Sequence, residues 1–300
     1  MLKLVILIIY FAVLIGIGLY CRKHATDVNG FVLGGRSVGP WLTAFAYGTS
    51  YFSAVVFVGY AGQFGWKYGI AATWAGIGNA IIGSLLAWVV LGRRTRIMSQ
   101  HLDSATMPQY FGKRFGSNPL KIGASVIIFI FLIPYTASLY NGLSRLFGMA
   151  FNIDYSVCII IMATLTAIYV IAGGYMATAI NDFIQGIIML FGIVAVIAAV
   201  IHSKGGFMSA LQGLANVSDP AVSDTPGIFA SFFGPDPFNL LCVVILTSLG
   251  TWGLPQMVQK FYAIDNEASI QKGTVISTIF ALIVSGGCYF LGGFGRLFSD

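Results

Sequence analysis

Eight long runs without a charged side chain are the feature that most constrains the fold of this 300-residue chain. Each run is comparable in length to the roughly 20 apolar residues that a helix needs to cross a bilayer. Barrel strands would instead produce short segments of alternating polarity, which the runs do not show. The pattern therefore predicts an all-α polytopic membrane protein. The predicted spans are residues 4–21, 37–66, 68–92, 122–144, 155–181, 183–203, 237–259 and 273–295.

The positions of the basic residues predict the orientation of these spans. Alternating the spans leaves Lys3, Lys67, Arg145, Lys204 and Arg296 on one side of the membrane. The other side is assigned to the cytoplasm, because cytoplasmic loops carry an excess of Lys and Arg. It holds Arg22, Lys23, Arg36, Arg93, Arg94, Arg96, Lys113, Arg114, Lys121, Lys260 and Lys272. The chain is thus predicted to be a multi-pass protein of the plasma (inner) membrane with its N-terminus outside.

Residue types that are often catalytic in enzymes, such as cysteine and histidine, are scattered in this sequence. The four cysteines lie singly in or beside spans, without the spacing of a metal or disulfide site, so packing is their expected role. The three histidines stand apart from one another, and no paired carboxylates occur. We therefore expect no enzyme activity. The net charge of +6 follows from the topology and does not indicate nucleic-acid binding.

Two spans carry helix-breaking residues near their middles. The second reads "AYGTSYFSAVVFVG", with Gly48 before three hydroxyl residues, and the seventh reads "TSLGTWGLPQ", with Gly250, Gly253 and Pro255. In a helix interior, glycine costs about 1 kcal/mol and proline about 3 kcal/mol relative to alanine. Backbone groups freed by a break are tolerated in a membrane only inside protein or beside a wet cavity. Simple kinks are the alternative.

The two interrupted spans are five helices apart, which indicates two repeats of five helices that each begin with a broken helix. Inverted repeats of this kind meet at the middle of the bilayer, where freed carbonyls bind a cation and freed N–H groups bind a polar solute. A solute site is therefore predicted beside the breaks. Its candidate residues are Ser50, Tyr51 and Ser53 in the second span and Trp252 and Gln256 in the seventh.

Four stretches resemble the sodium:solute symporter family, whose members carry proline, pantothenate, monocarboxylates, iodide or sugars. They occur in the family's order and span most of the chain. Tyr175 and Asn152 depart from the family pattern and leave the subfamily open. The stretches are "FVLGGRSVGP" (31–40), "SATMPQYFGKRFG" (104–116), "YVIAGGYMATAINDFIQG" (169–186) and "GLPQMVQKFYA" (253–263).

The resemblance implies the fold of the bacterial leucine transporter, in which two inverted five-helix repeats follow one extra N-terminal helix. We expect a single membrane domain over residues 1–300. Within it, the extra helix occupies 1–22, the first repeat 37–203 and the start of the second repeat 237–300. The resemblance also implies that the second repeat is truncated in this chain.

The resemblance further implies three sodium ligands. The carbonyls of Thr49 and Phe52 match family ligands, and carbonyl oxygens suit a hard cation. A hydroxyl bonded back to its own helix is the alternative role for Thr49. Asp182 stands between the fifth and sixth spans, where a carboxylate at membrane depth indicates function. An N-cap of the sixth span is the alternative, but the family's aspartate is associated with sodium passage on the cytoplasmic side.

The identity of the solute is narrowed by a few positions. Tyr135 matches the substrate-side tyrosine of proline carriers, although packing is its alternative role. Proline carriers have an aspartate at the position of Tyr51, and sugar carriers have a Glu-Gln pair at Val55-Val56. The stretch "SYFSAVVFVG" (50–59), followed by "KYG" (67–69), looks closer to the pantothenate, monocarboxylate and iodide branch of the family. We expect no lysine or arginine at the middle of the bilayer, so an anion would rely on helix N-termini, hydroxyls and Na+.

The sequence therefore predicts a sodium-coupled secondary symporter that imports a small organic solute, a monocarboxylate or pantothenate-like carboxylate, by alternating access. Its partners are the co-transported Na+, the solute and the lipid bilayer, and the oligomeric state stays open. A proline or other amino-acid symporter is one alternative. A transporter-like sensory input domain of a signalling protein is another, since some resembling domains are fused to kinases.

Overall fold

The computed structural model describes residues 2–53 and 55–298, and within these residues every regular element is a helix. Two isolated bridges, Val38 with Ile264 and Asp219 with Ser223, also occur among the described residues. The α-helices are α1 (Leu2–Cys21), α2 (Val28–Leu33), α3 (Pro40–Tyr51), α4 (Ala61–Tyr68), α5 (Thr73–Gly78), α6 (Arg93–His101), α7 (Met107–Phe115), α8 (Asn118–Phe151), α9 (Tyr155–Ser203), α10 (Phe207–Ala215), α11 (Pro237–Leu249), α12 (Pro255–Ala263) and α13 (Glu267–Gly293). Three π-helical segments accompany them: Val55–Tyr60, Asn79–Leu86 and Trp88–Gly92.

Four continuous helical stretches among the described residues are long and apolar enough to cross a membrane. They are Val55–His101, Asn118–Phe151, Tyr155–Ser203 and Glu267–Gly293. Two shorter apolar helices, Val5–Cys21 and Pro237–Leu249, add to them. Together these stretches overlap all eight charge-free runs, which agrees with the predicted polytopic membrane protein.

The first predicted break exists, but it lies further along the chain than the sequence indicated. Helix α3 continues through Gly48 to Tyr51, and the chain leaves the helical conformation at Phe52 and Ser53 before the π-helical segment that leads into α4. The prediction that Gly48 interrupts this span is therefore wrong. Glycine lowers helix propensity by only about 1 kcal/mol, and the packing of α3 overrides that preference.

The second predicted break is confirmed between α11 and α12. Helix α11 ends at Leu249, residues 250–253 form turns, and Leu254 is extended with φ −69° and ψ 128°. Pro255 is the first residue of α12 rather than a kink inside a helix. Its missing N–H is harmless at that position, and proline disfavours a helical conformation in the residue before it.

The boundary between the fifth and sixth spans was predicted at Asp182 and lies at Gly174 instead. Gly174 has φ 57° and ψ −149°, a conformation open to glycine and strained for other residues. A Cβ atom on the preceding Gly173 would lie 2.7 Å from the Gly18 carbonyl oxygen, so α1 and α9 cross closely here. Asp182 lies two turns into the second half of α9, and its alternative role as an N-cap is excluded.

The chain forms two compact units, each with its own apolar core. The first unit comprises Met1–Ser50, Trp88–Gln185 and Gly253–Gly273, and the second comprises Tyr51–Ala87, Gly186–Trp252 and Thr274–Asp300. Buried side chains of α2, α9 and α12, together with Val38 and Ala105 from connecting segments, form the core of the first unit: Leu33, Val38, Ala105, Tyr175, Ala179, Val258, Tyr262 and Ala263. The second unit is built around Val56, Ala61, Tyr68, Ala71, Ala72, Ala75, Ile193, Leu240, Val244, Cys288 and Tyr289.

Candidate functional site

The predicted site residues are divided between the two units, and each group has its own surroundings. The first unit holds Thr49, Ser50, Tyr135, Asp182 and Gln256. The second unit holds Tyr51, Phe52, Ser53 and Trp252. Each broken span contributes one half to each unit, because both breaks coincide with the unit boundary.

In the second unit, Tyr51 belongs to a buried polar network that sequence reasoning missed. Its hydroxyl donates to the Thr247 carbonyl at 2.9 Å and lies 3.2 Å from the amide oxygen of Asn79. That oxygen accepts a hydrogen bond from Ser248 at 3.1 Å, and the Asn79 nitrogen donates to Ser285 at 3.3 Å. The network connects the end of the first half of one broken span to the last turn of α11. The sequence feature that could have indicated this network is Asn79, a polar residue inside a charge-free run.

Replacing Asn79 with Ala is expected to destabilise the protein by about 1–3 kcal/mol, because buried partners such as the Ser248 and Ser285 hydroxyls lose their amide. Thermal unfolding of the purified protein in detergent measures the change. Asn216→Ala, at an exposed position of the same unit, is the matched control and is expected to unfold like the wild type. Equal unfolding temperatures for both variants would contradict a structural role for this network.

The other three predicted residues of the second unit lie around the two breaks. The Trp252 indole N–H donates to the Ile82 carbonyl at 3.0 Å. The Phe52 ring is buried and stacks on the Tyr51 ring with centroids 4.4 Å apart. The Ser53 carbonyl accepts from the backbone N–H of Val56 at 3.0 Å. Residues at both breaks thus make defined contacts with the surrounding protein.

In the first unit, the Thr49 hydroxyl makes the bond to its own helix that the sequence offered as one of two roles, and the role of its carbonyl as a sodium ligand stays a prediction. Its hydroxyl donates to the Phe45 carbonyl at 2.9 Å, which is the bond back to its own helix, and it also contacts the Asp182 carboxylate. Its carbonyl is among the last four of α3, which have no intrahelical donor. The helix end thus leaves this oxygen available as a ligand for a cation.

The first unit contains a largely buried ion pair between Asp182 and Lys260. The Lys260 ammonium lies 3.6 Å from the Asp182 carboxylate, and the two side chains are 8% and 22% exposed. The ammonium also lies over the Tyr175 ring, 4.9 Å from its centroid. Lys260 was expected in a loop after the seventh span, whereas the structure places it inside α12, which extends through Ala263, and buries its side chain.

Two arginines of the first unit hold the end of α12. Arg36 donates to the Ser104 carbonyl at 2.9 Å and to the Tyr262 carbonyl at 3.4 Å. Arg96 donates to the carbonyls of Ile264 and Asp265. Partial burial lowers the pKa of the Arg36 guanidinium from its usual value, with the charge of Arg96 adding to the effect. Both arginines are favourably placed, since cations stabilise the carbonyl end of a helix.

The remaining predicted residues of the first unit differ in their surroundings. Tyr135 is partly exposed on α8, a helix that packs against α7, and Ser50 is partly exposed near the end of α3. Both amide atoms of Gln256 are buried, and they make no hydrogen bond to any residue that the structure describes. The part that these three residues play in binding stays a prediction.

Comparison with known proteins supports the resemblance read from the sequence. The model of the sodium:solute symporter family matches residues 31–298. The osmoregulated proline transporter OpuE of Bacillus subtilis is 30% identical over 278 residues, which cover 92% of this chain and 54% of that protein. The sodium/proline symporter of Staphylococcus aureus (strain JH9) is 32% identical over 282 residues, covering 89% of this chain and 51% of that protein. The chain thus spans about half the length of the curated relatives it matches.

A solved structure of a Na+-coupled sialic acid symporter, in its substrate-bound outward-open state, shares the fold. It superposes with a TM-score of 0.76 at 17% identity and covers 98% of this chain and 60% of that one. The predicted leucine-transporter-like fold is confirmed by this match. The family is one of secondary transporters rather than enzymes. On the match over residues 31–298, the chain belongs to the sodium:solute symporter family.

Proposed function

We propose that this protein is a sodium-coupled symporter that imports a small organic solute by alternating access. The observation that carries the proposal is the interruption of two spans, at Phe52–Ser53 and at residues 250–254. Half-helices that end inside a membrane offer carbonyl oxygens to a cation and N–H groups to an anionic group of a solute. Membership of a symporter family supports sodium as the coupling ion.

The proposed sodium ligands are the carbonyls of Thr49 and Phe52 and the carboxylate of Asp182. Support for Thr49 comes from its place in the last turn of α3, where carbonyls lack helical donors. Asp182 is supported by its position inside a helix, because a carboxylate there is costly unless a cation accompanies it. All of these ligands are oxygen atoms, which a hard monovalent cation prefers.

The proposed solute contacts are the residues beside the breaks together with Tyr135. Gln256 is the best supported of them, because a buried amide without a described protein partner is free to bind a ligand or water. Trp252 is proposed to contribute its ring, since its N–H already binds the protein. Ser50, Tyr51, Ser53 and Tyr135 complete the proposed set.

We propose that the solute carries a carboxylate. The sequence favours a monocarboxylate or pantothenate, whereas both curated relatives described above are named as proline transporters. Proline also carries a carboxylate, so this group is the chemistry that all three candidates share. An outside N-terminus in the plasma membrane and the repeat boundaries 37–203 and 237–300 are part of the same proposal.

Uptake by the full-length protein in proteoliposomes tests the proposal. An inward Na+ gradient is expected to drive accumulation of at least one labelled solute from a panel of proline, pantothenate, lactate and acetate. Replacing Na+ with K+ at equal concentration is expected to abolish the accumulation. Equal uptake in the two salts, or no accumulation of any solute of the panel, would contradict the proposal.

The membrane potential distinguishes the cargo classes in the same assay. A zwitterion carried with one Na+ moves one positive charge, whereas a monocarboxylate carried with one Na+ moves none. One charge gains about 2.3 kcal/mol per 100 mV, so an inside-negative potential of that size is expected to raise the limit of proline accumulation about 40-fold. Accumulation of a monocarboxylate with one Na+ is expected to be independent of the potential.

A further inference from the structure

The ion pair of the first unit is incomplete as a hydrogen-bonded contact. A charge-assisted N–H···O bond is about 2.7–2.9 Å long, whereas the Lys260 ammonium and the Asp182 carboxylate are 3.6 Å apart. An ammonium has three N–H donors and a carboxylate accepts through two oxygens. The ammonium and the carboxylate are therefore close together, yet both keep hydrogen-bonding capacity for a further ligand.

Three residues that contact the pair or lie near it in the sequence carry buried polar groups with no hydrogen-bond partner among the described residues. The amide nitrogen and oxygen of Asn181, next to Asp182 on α9, are buried and make no hydrogen bond to a described residue. The same holds for the hydroxyl of Tyr175, whose ring lies under the Lys260 ammonium. Gln256, one turn before Lys260 on the same face of α12, is a third case. Buried polar groups are normally satisfied, so each of these side chains has hydrogen-bonding capacity that a bound ligand or water can use.

Charge balance determines what such a ligand can be. The Asp182 carboxylate and the Lys260 ammonium are neutral together, and a second cation at Asp182 would leave the ammonium with no counter-ion. A buried charge left without its partner is costly. A cation at the carboxylate and an anion at the ammonium are therefore favourable together and unfavourable separately.

We propose that Na+ displaces the Lys260 ammonium from Asp182, and that the displaced ammonium then donates hydrogen bonds to the carboxylate of the solute. The inference rests on the proposed sodium-coupled function and assigns Lys260 the role of specificity residue for anionic or zwitterionic solutes. Because the two ligands share one ion pair, each increases the affinity for the other, which is a reciprocal coupling between sites. Gln256 and the Tyr175 hydroxyl, which have no described partner, are the proposed further donors to this carboxylate.

Sodium binding to the full-length protein in nanodiscs tests this role without transport. Without solute, Lys260→Gln is expected to bind 22Na+ about 10-fold more tightly than the wild type, because the competing cation is gone. Saturating proline, used as the probe, is expected to strengthen Na+ binding to the wild type and to have no effect on the variant. Lys272→Gln removes the same charge from an exposed position of the same unit and is expected to match the wild type.

A second variant covers the case in which Lys260→Gln does not fold. Lys260→Arg keeps the charge, and a guanidinium holds a carboxylate more firmly through two parallel bonds. Its Na+ affinity is expected to fall several-fold below that of the wild type. Wild-type Na+ affinity in Lys260→Arg, or Na+ binding to Lys260→Gln that is no tighter than wild type, would overturn the inference.

The uptake assay separates this inference from the proposed function. Sodium-dependent uptake by the wild type, combined with unchanged Na+ affinities in both Lys260 variants, rejects the role of Lys260 and leaves the symporter proposal standing. Wild-type uptake that does not depend on Na+ rejects the symporter proposal itself, whatever the binding data show.

Discussion

Asp182→Asn is expected to raise the Na+ concentration for half-maximal uptake at least about 10-fold, because the proposed ligand loses its charge. The variant also leaves the Lys260 ammonium, 8% exposed, without its partner. Removing one member of a buried pair costs about 3–5 kcal/mol, and we expect the lower end of that range because the carboxylate is 22% exposed. Sodium-dependent uptake and thermal unfolding measure the two effects separately.

Two further variants show which effect is electrostatic. Asp224→Asn removes the same charge from an exposed position between α10 and α11 and is expected to leave uptake unchanged. The double variant Asp182→Asn with Lys260→Gln removes both charges, so it is expected to regain most of the lost stability without regaining the sodium response. A normal sodium response in Asp182→Asn would remove this residue from the mechanism.

Gly65→Ala is expected to destabilise the second unit by about 3 kcal/mol, the upper end of the range for overpacking. A Cβ atom at this position would overlap the carbonyl group of Gly292 on α13 and lie 2.7 Å from the nitrogen of Gly293. Backbone atoms cannot turn away as a side chain does, so the two helices must separate. Thermal unfolding and the yield of monodisperse protein in detergent measure the loss.

Gly62→Ala provides the matched control on the same helix. A Cβ atom at Gly62 meets nothing within 4 Å, and alanine raises helix propensity by up to about 1 kcal/mol. This variant is therefore expected to be as stable as the wild type or slightly more stable. Equal losses in Gly62→Ala and Gly65→Ala would show that the close approach of α4 to α13 does not limit stability.

The helix breaks show which helix boundaries can be predicted from local sequence and which cannot. Proline at position 255 acts locally, by excluding a helical conformation before it, and the sequence located that break correctly. Gly48 has only a small propensity effect, and α3 continues past it to Tyr51. Gly174 was overlooked as a boundary because its left-handed φ of 57° becomes visible only in the folded backbone.

The candidate site shows the same limit. Asp182, Tyr51 and Gln256 were proposed from their positions relative to spans and breaks. The burial of Lys260 was not predicted, because hydropathy assigns a lone lysine after a charge-free run to a water-exposed loop. Its burial results from the packing of α12 in the first unit and from the carboxylate beside it, 78 positions earlier in the chain.

Membrane insertion, the succession of the spans and the interrupted seventh helix were determined by the amino-acid order alone, since hydropathy and proline geometry operate over a few neighbouring residues. Which charges meet, which amide groups lack a partner and where glycine lets two backbones touch were decided only by tertiary structure. These contacts join distant parts of the chain, and their energies depend on burial and on distances that no local pattern encodes.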